Sequence, residues 1–266
     1  LKKDFHNGLD VFVSYSYNNT MDITANPGSQ AASAWSGNAI IGSALGQNQN
    51  TPYMSYSQYA TPHRVVGALS YTKEYAKNFA TTVTLSYEGF NAGRFNYVYS
   101  SDINNDGIGN NDLIFIHKSS DITFKEYKSG STTFTAEEQA AAWDAYVDQD
   151  AYLSKNVGNF ADRYAALFPW LHRFNLAIYQ DFIKNIGGTN QKLQLSANIL
   201  NVGNLINSSW GIAQRLTVNN GAVLRANTDG TYQFNAAGGA LPTTTFTDIT
   251  STSTTWGAQI GVRYLF

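Results

Sequence analysis

The chain has no cysteine and no long apolar run. The 266 residues therefore hold no disulfide bond and no thiolate metal site. No apolar stretch approaches about 18 residues, which excludes a transmembrane helix. Charged residues make up only 14%, with a net charge of −2 and a pI of about 6.1, and this near-neutral balance argues against a nucleic-acid partner. The chain begins at Leu1 without a methionine or a signal peptide, so we expect a piece of a longer protein or a processed product.

Aromatic residues are abundant and indicate β structure. The chain has 17 Tyr, 15 Phe and 5 Trp, and Ser, Thr, Asn and Gly are frequent. Aromatic side chains favour strands, so an all-β fold is predicted. The mean hydropathy of −0.28 fits a soluble sheet and equally a β-barrel in a membrane, because inward and outward side chains average out in a barrel.

Six segments alternate apolar and polar residues with the period of two that strands have. They are residues 9–17, 64–71, 80–100, 172–182, 193–200 and 256–266. The third is interpreted as one long strand kinked at its glycines, because the parity continues across "GFNAG"; a hairpin at Asn91–Ala92 is the alternative. The last segment has the length of about 9–11 residues with which a tilted strand crosses a bilayer.

The charges of these segments are predicted to lie opposite the apolar set. This holds for Asp10, Arg64, Glu88, Arg94, Arg173, Asp181 and Arg263. A Lys or Arg that faces lipid at the midplane costs roughly 2–4 kcal/mol, which would enforce such a partition. A half-buried soluble sheet partitions its charges in the same way, so this pattern alone does not select a membrane.

Short and long connections alternate between the segments. Residues 72–79 and 184–192 are short turns, whereas 18–62, 101–170 and 204–255 are long loops. Outer-membrane barrels have short turns on one side and long loops on the other, and this favours an antiparallel transmembrane β-barrel segment. Six strands leave two unpaired edges, and closed membrane barrels have at least about 8 strands. Further strands must come from a preceding part of the protein or from other copies.

One of the long loops contains a predicted helix, "TAEEQAAAWDAYVDQDAYLS". Thr135 and Glu138 have the spacing of a capping box. Ala140, Trp143, Tyr146 and Val147 share one face. We expect a loop helix that packs on neighbouring loops; a helix that contacts a ligand is the alternative.

The stretch Asp102–Asp112 is a candidate calcium loop. Asp102, Asn104 and Asp106 occupy positions one, three and five of a calcium-binding pattern, and Gly107 occupies position six. Position twelve should be Glu and is Leu113, with Asp112 just before it. Asn, Asp and Gly are also ordinary turn formers, so an ordered turn is the expected structure, and weak Ca²⁺ binding by this loop is the alternative hypothesis.

Other candidate sites are weaker. No Ser, Cys or carboxylate accompanies His172 at a telling spacing, so no catalytic residue is predicted. The remaining histidines, His6, His63 and His117, are scattered and indicate no metal cluster. Trp170 fits an aromatic belt at a membrane interface. The loop aromatics Trp210, Tyr232 and Phe234 could stack on a sugar or a peptide.

Five motifs, taken together and in this order, resemble the C-terminal barrel of TonB-dependent outer-membrane receptors, above all the SusC-like and Oar-like branches. They are "SSDINNDGIGNNDLIFI", "EEQAAAWDAYVDQDAYLSKNVG", "FPWLHRFNLAIYQDF", "LSANILNVGNLIN" and "WGAQIGVRYLF". The resemblance covers residues 1–266.

The resemblance implies a 22-stranded barrel in the outer membrane of a Gram-negative bacterium, with a plug that precedes this chain. Such a receptor is not an enzyme. It imports a nutrient such as an oligosaccharide or a peptide, driven by the TonB complex, and its partners are lipid, the rest of the receptor and, in SusC-like members, a SusD-like surface lipoprotein. In this family a terminal Phe is a sorting mark for barrel assembly, here Phe266 supported by Tyr264 and Val262. A passive porin-like barrel and a soluble all-β adhesin or carbohydrate-binding module are the alternatives.

Overall fold

A computed structural model gives a predominantly β-stranded chain with few helices, and the predicted all-β class is confirmed. The structure describes residues 1–24, 28–36, 53–76, 78–186 and 189–266. Parts of the predicted loop 18–62 and of the two predicted short turns therefore lie outside the described residues. In the part of the chain that is described, none of the helices has the length and hydropathy needed to cross a membrane.

The largest element is a seven-stranded antiparallel sheet in which neighbouring strands follow one another along the chain. Six of its strands are long, as predicted, and a three-residue strand precedes them. The strands are β1 (Lys2–Asp4), β2 (Leu9–Tyr17), β3 (His63–Tyr75), β4 (Phe79–Asn91), β5 (Trp170–Ile186), β6 (Thr189–Leu200) and β7 (Gly257–Leu265).

The connections of this sheet alternate as predicted. Short connections join β3 to β4 and β5 to β6, whereas long stretches of chain separate β2 from β3, β4 from β5 and β6 from β7. All three long loops leave the same end of the antiparallel sheet, because each joins the end of an even-numbered strand to the start of the next. The sheet therefore has a loop end and a turn end.

The interpretation of residues 80–100 as one strand is wrong, and so is the alternative hairpin in the same sheet. Strand β4 ends at Asn91, and the chain then enters the loop region. Arg94–Phe95 pairs with Ala166–Leu167, and Val98–Tyr99 pairs with 222–224. The alternation of apolar residues continues past Asn91 because these short strands also bury one face, but their partners are different.

The long loops contain their own small sheets and helices. Met21–Asp22 pairs with Ser55–Tyr56, Tyr127–Ser129 with Thr132–Phe134, Gln214–Leu216 with Phe246–Asp248, and Ala222–Ala226 with Tyr232–Phe234. The helices are α1 (Ala31–Ser36), α2 (Ala136–Gln149) and α3 (Val202–Ile206), with short 3₁₀ turns at Ser119–Asp121, Leu153–Lys155 and Asn219–Gly221.

The buried hydrophobic core lies in these loops and not in the sheet. We call this cluster the loop core. It consists of Phe95, Tyr97, Val98, Tyr99, Leu113, Ile114, Ile116, Phe124, Trp143, Tyr146, Val147, Leu153, Ala161, Ala166, Val218, Ala222, Val223, Leu224 and Phe234. None of these residues belongs to β1–β7, so the fold has two parts with different environments.

Helix α2 packs into the loop core as predicted. Thr135 caps it with both bonds of a capping box: Glu138 N donates to Thr135 Oγ1 at 3.2 Å, and Thr135 N donates to Glu138 Oε2 at 2.9 Å. Trp143, Tyr146 and Val147 are buried, and Trp143 Nε1 donates to the His117 carbonyl at 2.9 Å. The helix is thus a structural part of the loop core.

A buried carboxylate joins the end of α2 to two other segments. Asp150 Oδ2 accepts hydrogen bonds from Tyr97 Oη and Thr245 Oγ1, both at 2.6 Å. Asp150 Oδ1 accepts from the backbone N–H groups of Tyr152 and Leu153 at 2.9 and 2.8 Å. Four donors satisfy this carboxylate, which offsets the cost of burying it.

Trp143→Ala should loosen the loop core. Trp143 is fully buried, with its ring centroid 5.4 Å from that of Phe234, so truncation removes apolar contacts and leaves a cavity at a cost of about 3–5 kcal/mol. We expect faster protease cleavage within residues 101–169. Asp148→Ala, on the exposed side of the same helix, is the control, and equal cleavage rates for the two variants would contradict the prediction.

Candidate functional site

One face of the sheet carries apolar side chains that remain exposed. We call it the apolar face. Its central side chains form two rows across the strands, as the pairing registers give: Val11, Leu69, Leu85, Leu176, Ile199 and Ala258, and then Leu9, Tyr71, Val83, Ile178, Ala197 and Ile260. Leu85 is 38% exposed, Ile178 37% and Ile260 85%. The rows are apolar apart from the Tyr71 hydroxyl, and the loop core covers none of them.

Aromatic rings bound the apolar face at both ends of the sheet. The loop-end row contains Tyr15, Tyr17, His63, Tyr87, Trp170, His172 and Phe174, and the turn-end row contains Tyr75, Phe79, Phe182, Tyr264 and Phe266. Neighbouring rings in each row contact one another: the Trp170 and His172 centroids are 5.8 Å apart, and those of Phe79 and Phe182 are 5.4 Å apart.

Gly89 makes room for part of the loop-end row. It pairs with His172 across the sheet, and a Cβ at this position would lie 2.1 Å from Tyr87 Oη. Without that atom, the Tyr87 ring leans over the glycine and its hydroxyl shares a 2.8 Å hydrogen bond with His172 Nδ1. Trp170, which the sequence predicts to belong to an aromatic belt at a membrane interface, lies in this row.

The opposite face of the sheet is mainly polar, although Phe12, Val66, Phe90 and Leu171 also lie on it. Ser70 and Thr84 share a 2.8 Å hydrogen bond, and Lys192 Nζ lies 2.6 Å from Asp181 Oδ2. The predicted partition of charges holds for Asp10, Arg64, Glu88, Arg173, Asp181 and Arg263. It is wrong for Arg94, which lies outside the sheet and donates to the Tyr164 carbonyl at 3.0 Å. Two lysines lie on the apolar face: Lys73, two residues from the turn-end ring of Tyr75, and Lys3 of β1, which pairs with Val11.

The two outermost strands each have one free edge. Among the described residues, β1 pairs only with β2, and β7 pairs only with β6. The predicted sorting residues lie on or just after β7, on its apolar face: Val262 is 70% exposed, Tyr264 54% and Phe266 93%. The rings of Tyr264 and Phe266 stack at 6.0 Å.

The loop Asp102–Asp112 folds around its own carboxylates. Asp102 Oδ1 accepts from Asp106 N at 3.2 Å, and Asp102 Oδ2 accepts from Gly107 N at 2.8 Å. Asn104 Oδ1 also accepts from Asp106 N, at 3.0 Å. Gly107 has φ +87°, in the left-handed region that favours glycine. The predicted ligands Asp102, Asn104 and Asp106 are thus brought together in one turn.

Asp112 closes this loop from its other end. Its Oδ2 accepts from Ile103 N at 2.9 Å, whereas its Oδ1 is buried without a hydrogen-bond partner. Burial, together with the charges of Asp106 and Asp102, raises the pKa of Asp112 to about 6, although the backbone N–H groups of Ile103 and Asn104 act to lower it. Within the described ranges, no three His, Cys, Asp or Glu side chains converge as a ready metal cluster.

Several aromatic rings line each of two cavities in the described part of the chain. One of about 440 Å³ is lined by Phe168, Trp170, His172, Phe174 and Trp210, among others. The other, of about 700 Å³, is lined by Tyr99, Asp102, Phe115, His117, Phe160 and Tyr232, among others. Both volumes fall in the range of small-molecule sites.

Two of the three loop aromatics singled out in the sequence line these cavities. Trp210 is 54% exposed and lines the smaller one, and Tyr232 lines the larger one. The expectation for Phe234 is wrong, because this ring is fully buried against Trp143 and Tyr146. Sequence reasoning missed Phe115 and Phe160, which meet through a bridge between distant segments and carry no local signal.

Comparisons with known proteins gave no match to a family model, to a curated protein or to a solved structure. The geometry and the sequence motifs therefore carry the functional argument.

Asp112→Asn should change how stability depends on pH when calcium is chelated. The pKa of Asp112 is about 6 in the folded state and about 4 in the unfolded state. Between these values the folded state holds a proton that the unfolded state has released, so the free energy of unfolding falls as the pH rises. Below about pH 4 this loss has not begun, and above about pH 6 it is complete.

Thermal unfolding in detergent and chelator, followed by near-ultraviolet circular dichroism, measures this effect. The melting temperature of the variant minus that of the wild type should increase from about pH 4 to about pH 6 and then level off. A difference that stays constant across this range would contradict the raised pKa.

Proposed function

We propose that residues 1–266 form the C-terminal part of the β-barrel of a TonB-dependent importer in the outer membrane of a Gram-negative bacterium. In this proposal the six long strands belong to a barrel of 22. The observation that carries the proposal is the apolar face, which lies exposed between two aromatic rows. The buried hydrophobic core of the chain lies in the loops and does not cover this face.

The spacing of the aromatic rows supports a membrane location. On β5, Trp170 belongs to the loop-end row and Phe182 to the turn-end row. With a rise of about 3.3 Å per residue and a tilt of about 45°, Phe182 lies about 28 Å from Trp170 and about 19 Å from Phe174, the innermost ring of the loop-end row on this strand. Outer-membrane barrels have an apolar band about 25 Å tall between two aromatic girdles, and this height falls between the two distances.

The placement of charge supports the same location. The charged side chains in the middle of the six long strands lie on the polar face, which in a large barrel lines the interior. Lys73 lies on the apolar face, and its position beside the turn-end row lets its ammonium group reach the headgroup region. Lys3, on the three-residue strand β1, also lies on the apolar face, where it pairs with Val11.

The free edges support membership in a larger barrel. Hydrocarbon cannot satisfy the unpaired N–H and C=O groups of β1 and β7. In the proposal, strands from the rest of the receptor pair with both edges. The assembly machinery would then recognise the exposed apolar end of the last strand, which consists of Val262, Tyr264 and Phe266.

The loops support a binding function without bond chemistry. They carry the larger aromatic-lined cavity, where rings such as Tyr232 and Phe115 sit beside the Asp102 carboxylate. Aromatic faces with a few polar groups suit an oligosaccharide or a peptide. The five sequence motifs resemble those of TonB-dependent receptors. In the proposal the TonB complex therefore supplies the energy, and a SusD-like lipoprotein is a candidate lid.

Dependence on TonB tests the importer directly. Cells that carry the whole receptor should accumulate labelled oligosaccharides or peptides, and deletion of TonB should abolish this uptake, because the plug opens only with external energy. A receptor deletion is the control for other routes. Receptor-dependent uptake that persists without TonB would favour a passive porin-like barrel.

Leu85→Arg and Ser86→Arg form a matched pair that tests the membrane face. Leu85 is on the apolar face and Ser86, the next residue, is on the polar face. A midplane Arg that faces lipid costs roughly 2–4 kcal/mol, whereas an Arg in the lumen is tolerated. We expect only the Leu85 variant to lose the folded form that resists SDS until boiled.

Two outcomes would count against the membrane location. One is an equal amount of SDS-resistant form in both variants. The other is extraction of the wild-type protein into buffer without detergent, which would favour the soluble adhesin or carbohydrate-binding module.

A further inference from the structure

We propose that the loop Asp102–Asp112 binds one Ca²⁺ ion through side-chain oxygens of Asp102, Asn104, Asp106 and Asp112. This site goes beyond the proposed function, because neither barrel assembly nor import calls for a metal at this position.

The ligand chemistry of the loop suits calcium. Its candidate ligands are carboxylate and amide oxygens, which hard cations prefer, and it contains no His or Cys. Residues 102–107 have the spacing of the first half of a calcium-binding loop, including the glycine with positive φ at the sixth position. Mg²⁺ requires a near-ideal octahedron of oxygens, whereas Ca²⁺ accepts irregular sets of about six to eight oxygen ligands such as Asp and Asn side chains provide.

The structure accounts for the departure from the usual pattern at the twelfth position. Leu113 is buried in the loop core and pairs with Val98, so its side chain points away from the loop. Asp112, one residue earlier, has the opposite orientation and bonds Ile103 N, inside the turn that Asp102 and Asn104 form. Asp112 can therefore act as the closing ligand in place of a glutamate.

The independent evidence for a ligand is the unpartnered oxygen of Asp112. The residue is 1% exposed, and its Oδ1 has no donor within the described structure. The other buried aspartate of the loops, Asp150, receives four hydrogen bonds. A buried carboxylate oxygen without a donor is costly, and a cation in the loop would remove that cost.

Protein cations do not supply the missing charge. Among the described residues, none of the ion pairs includes Asp102, Asp106 or Asp112. In the described part of the chain, Asp102, Asp106 and Asp112 thus have no Lys or Arg within ion-pair distance to balance their charge. Because Asp102 also lines the larger cavity, a bound ion would fix one wall of it.

Terbium luminescence and thermal unfolding test the site in the detergent-solubilised receptor. Tb³⁺ substitutes for Ca²⁺, and Tyr99 and Tyr232, which line the same cavity as Asp102, can sensitise its emission. We expect tyrosine-sensitised emission that Ca²⁺ displaces. We also expect a higher melting temperature in Ca²⁺ than in EGTA, because a ligand that binds only the folded state stabilises it.

Three aspartate variants separate the site from general charge effects. Asp112→Asn and Asp106→Asn each remove a ligand charge and should weaken Ca²⁺ binding at least about tenfold. Asp148→Asn removes the same charge from the exposed side of α2 and should bind like the wild type. Asp106 is only half-buried, so its variant tests the site even where Asp112→Asn fails to fold.

The proposal is overturned if the wild-type melting temperature is the same in Ca²⁺ and in EGTA. It is also overturned if the Asp106 and Asp148 variants respond equally to Ca²⁺, or if Mg²⁺ at the same concentration stabilises as strongly. None of these measurements depends on transport, so failure of the calcium site and failure of the importer proposal are distinguishable.

Discussion

The apolar face of the sheet, formed by side chains from six strands, constrains where the charges, the aromatic rings and the buried core of this molecule can lie. Water cannot accommodate a continuous apolar surface of this kind without a large free-energy cost, and such surfaces mark contact with another apolar phase or partner. The loop core does not provide that partner, because it lies at the end of the strands. The aromatic rows, the position of the charges and the proposed lipid environment all follow from this one face.

The loops obey a different rule. They bury Trp143, Tyr146 and Phe234 as a water-soluble domain would, and they satisfy the buried carboxylate of Asp150 with four donors. Dense packing positions the rings of the larger cavity and the Asp102–Asp112 loop. The proposed binding function and the proposed ion site therefore depend on loop packing and not on the sheet.

Much of the fold could be predicted from the sequence, because strand period, capping chemistry and connection length are local signals. Helix α2 and the six long strands follow from them. The end of β4 at Asn91 could not be predicted, since alternation continues to Tyr99 while the pairing partners change. The candidate site divides in the same way: the spacing of Asp102, Asn104 and Asp106 is visible in the sequence, whereas the burial of Phe234 and the unpartnered oxygen of Asp112 depend on segments that meet only in the folded chain.

The separation of the loop core from the strands has a consequence for how such a chain could diversify. Residues of the loop core contact mainly one another, whereas the strands of the sheet need only keep their alternation of apolar and polar residues and their pairing register. Recombination could exchange the long loops as a unit and leave the sheet intact. Ligand specificity could then change while the sheet stays the same.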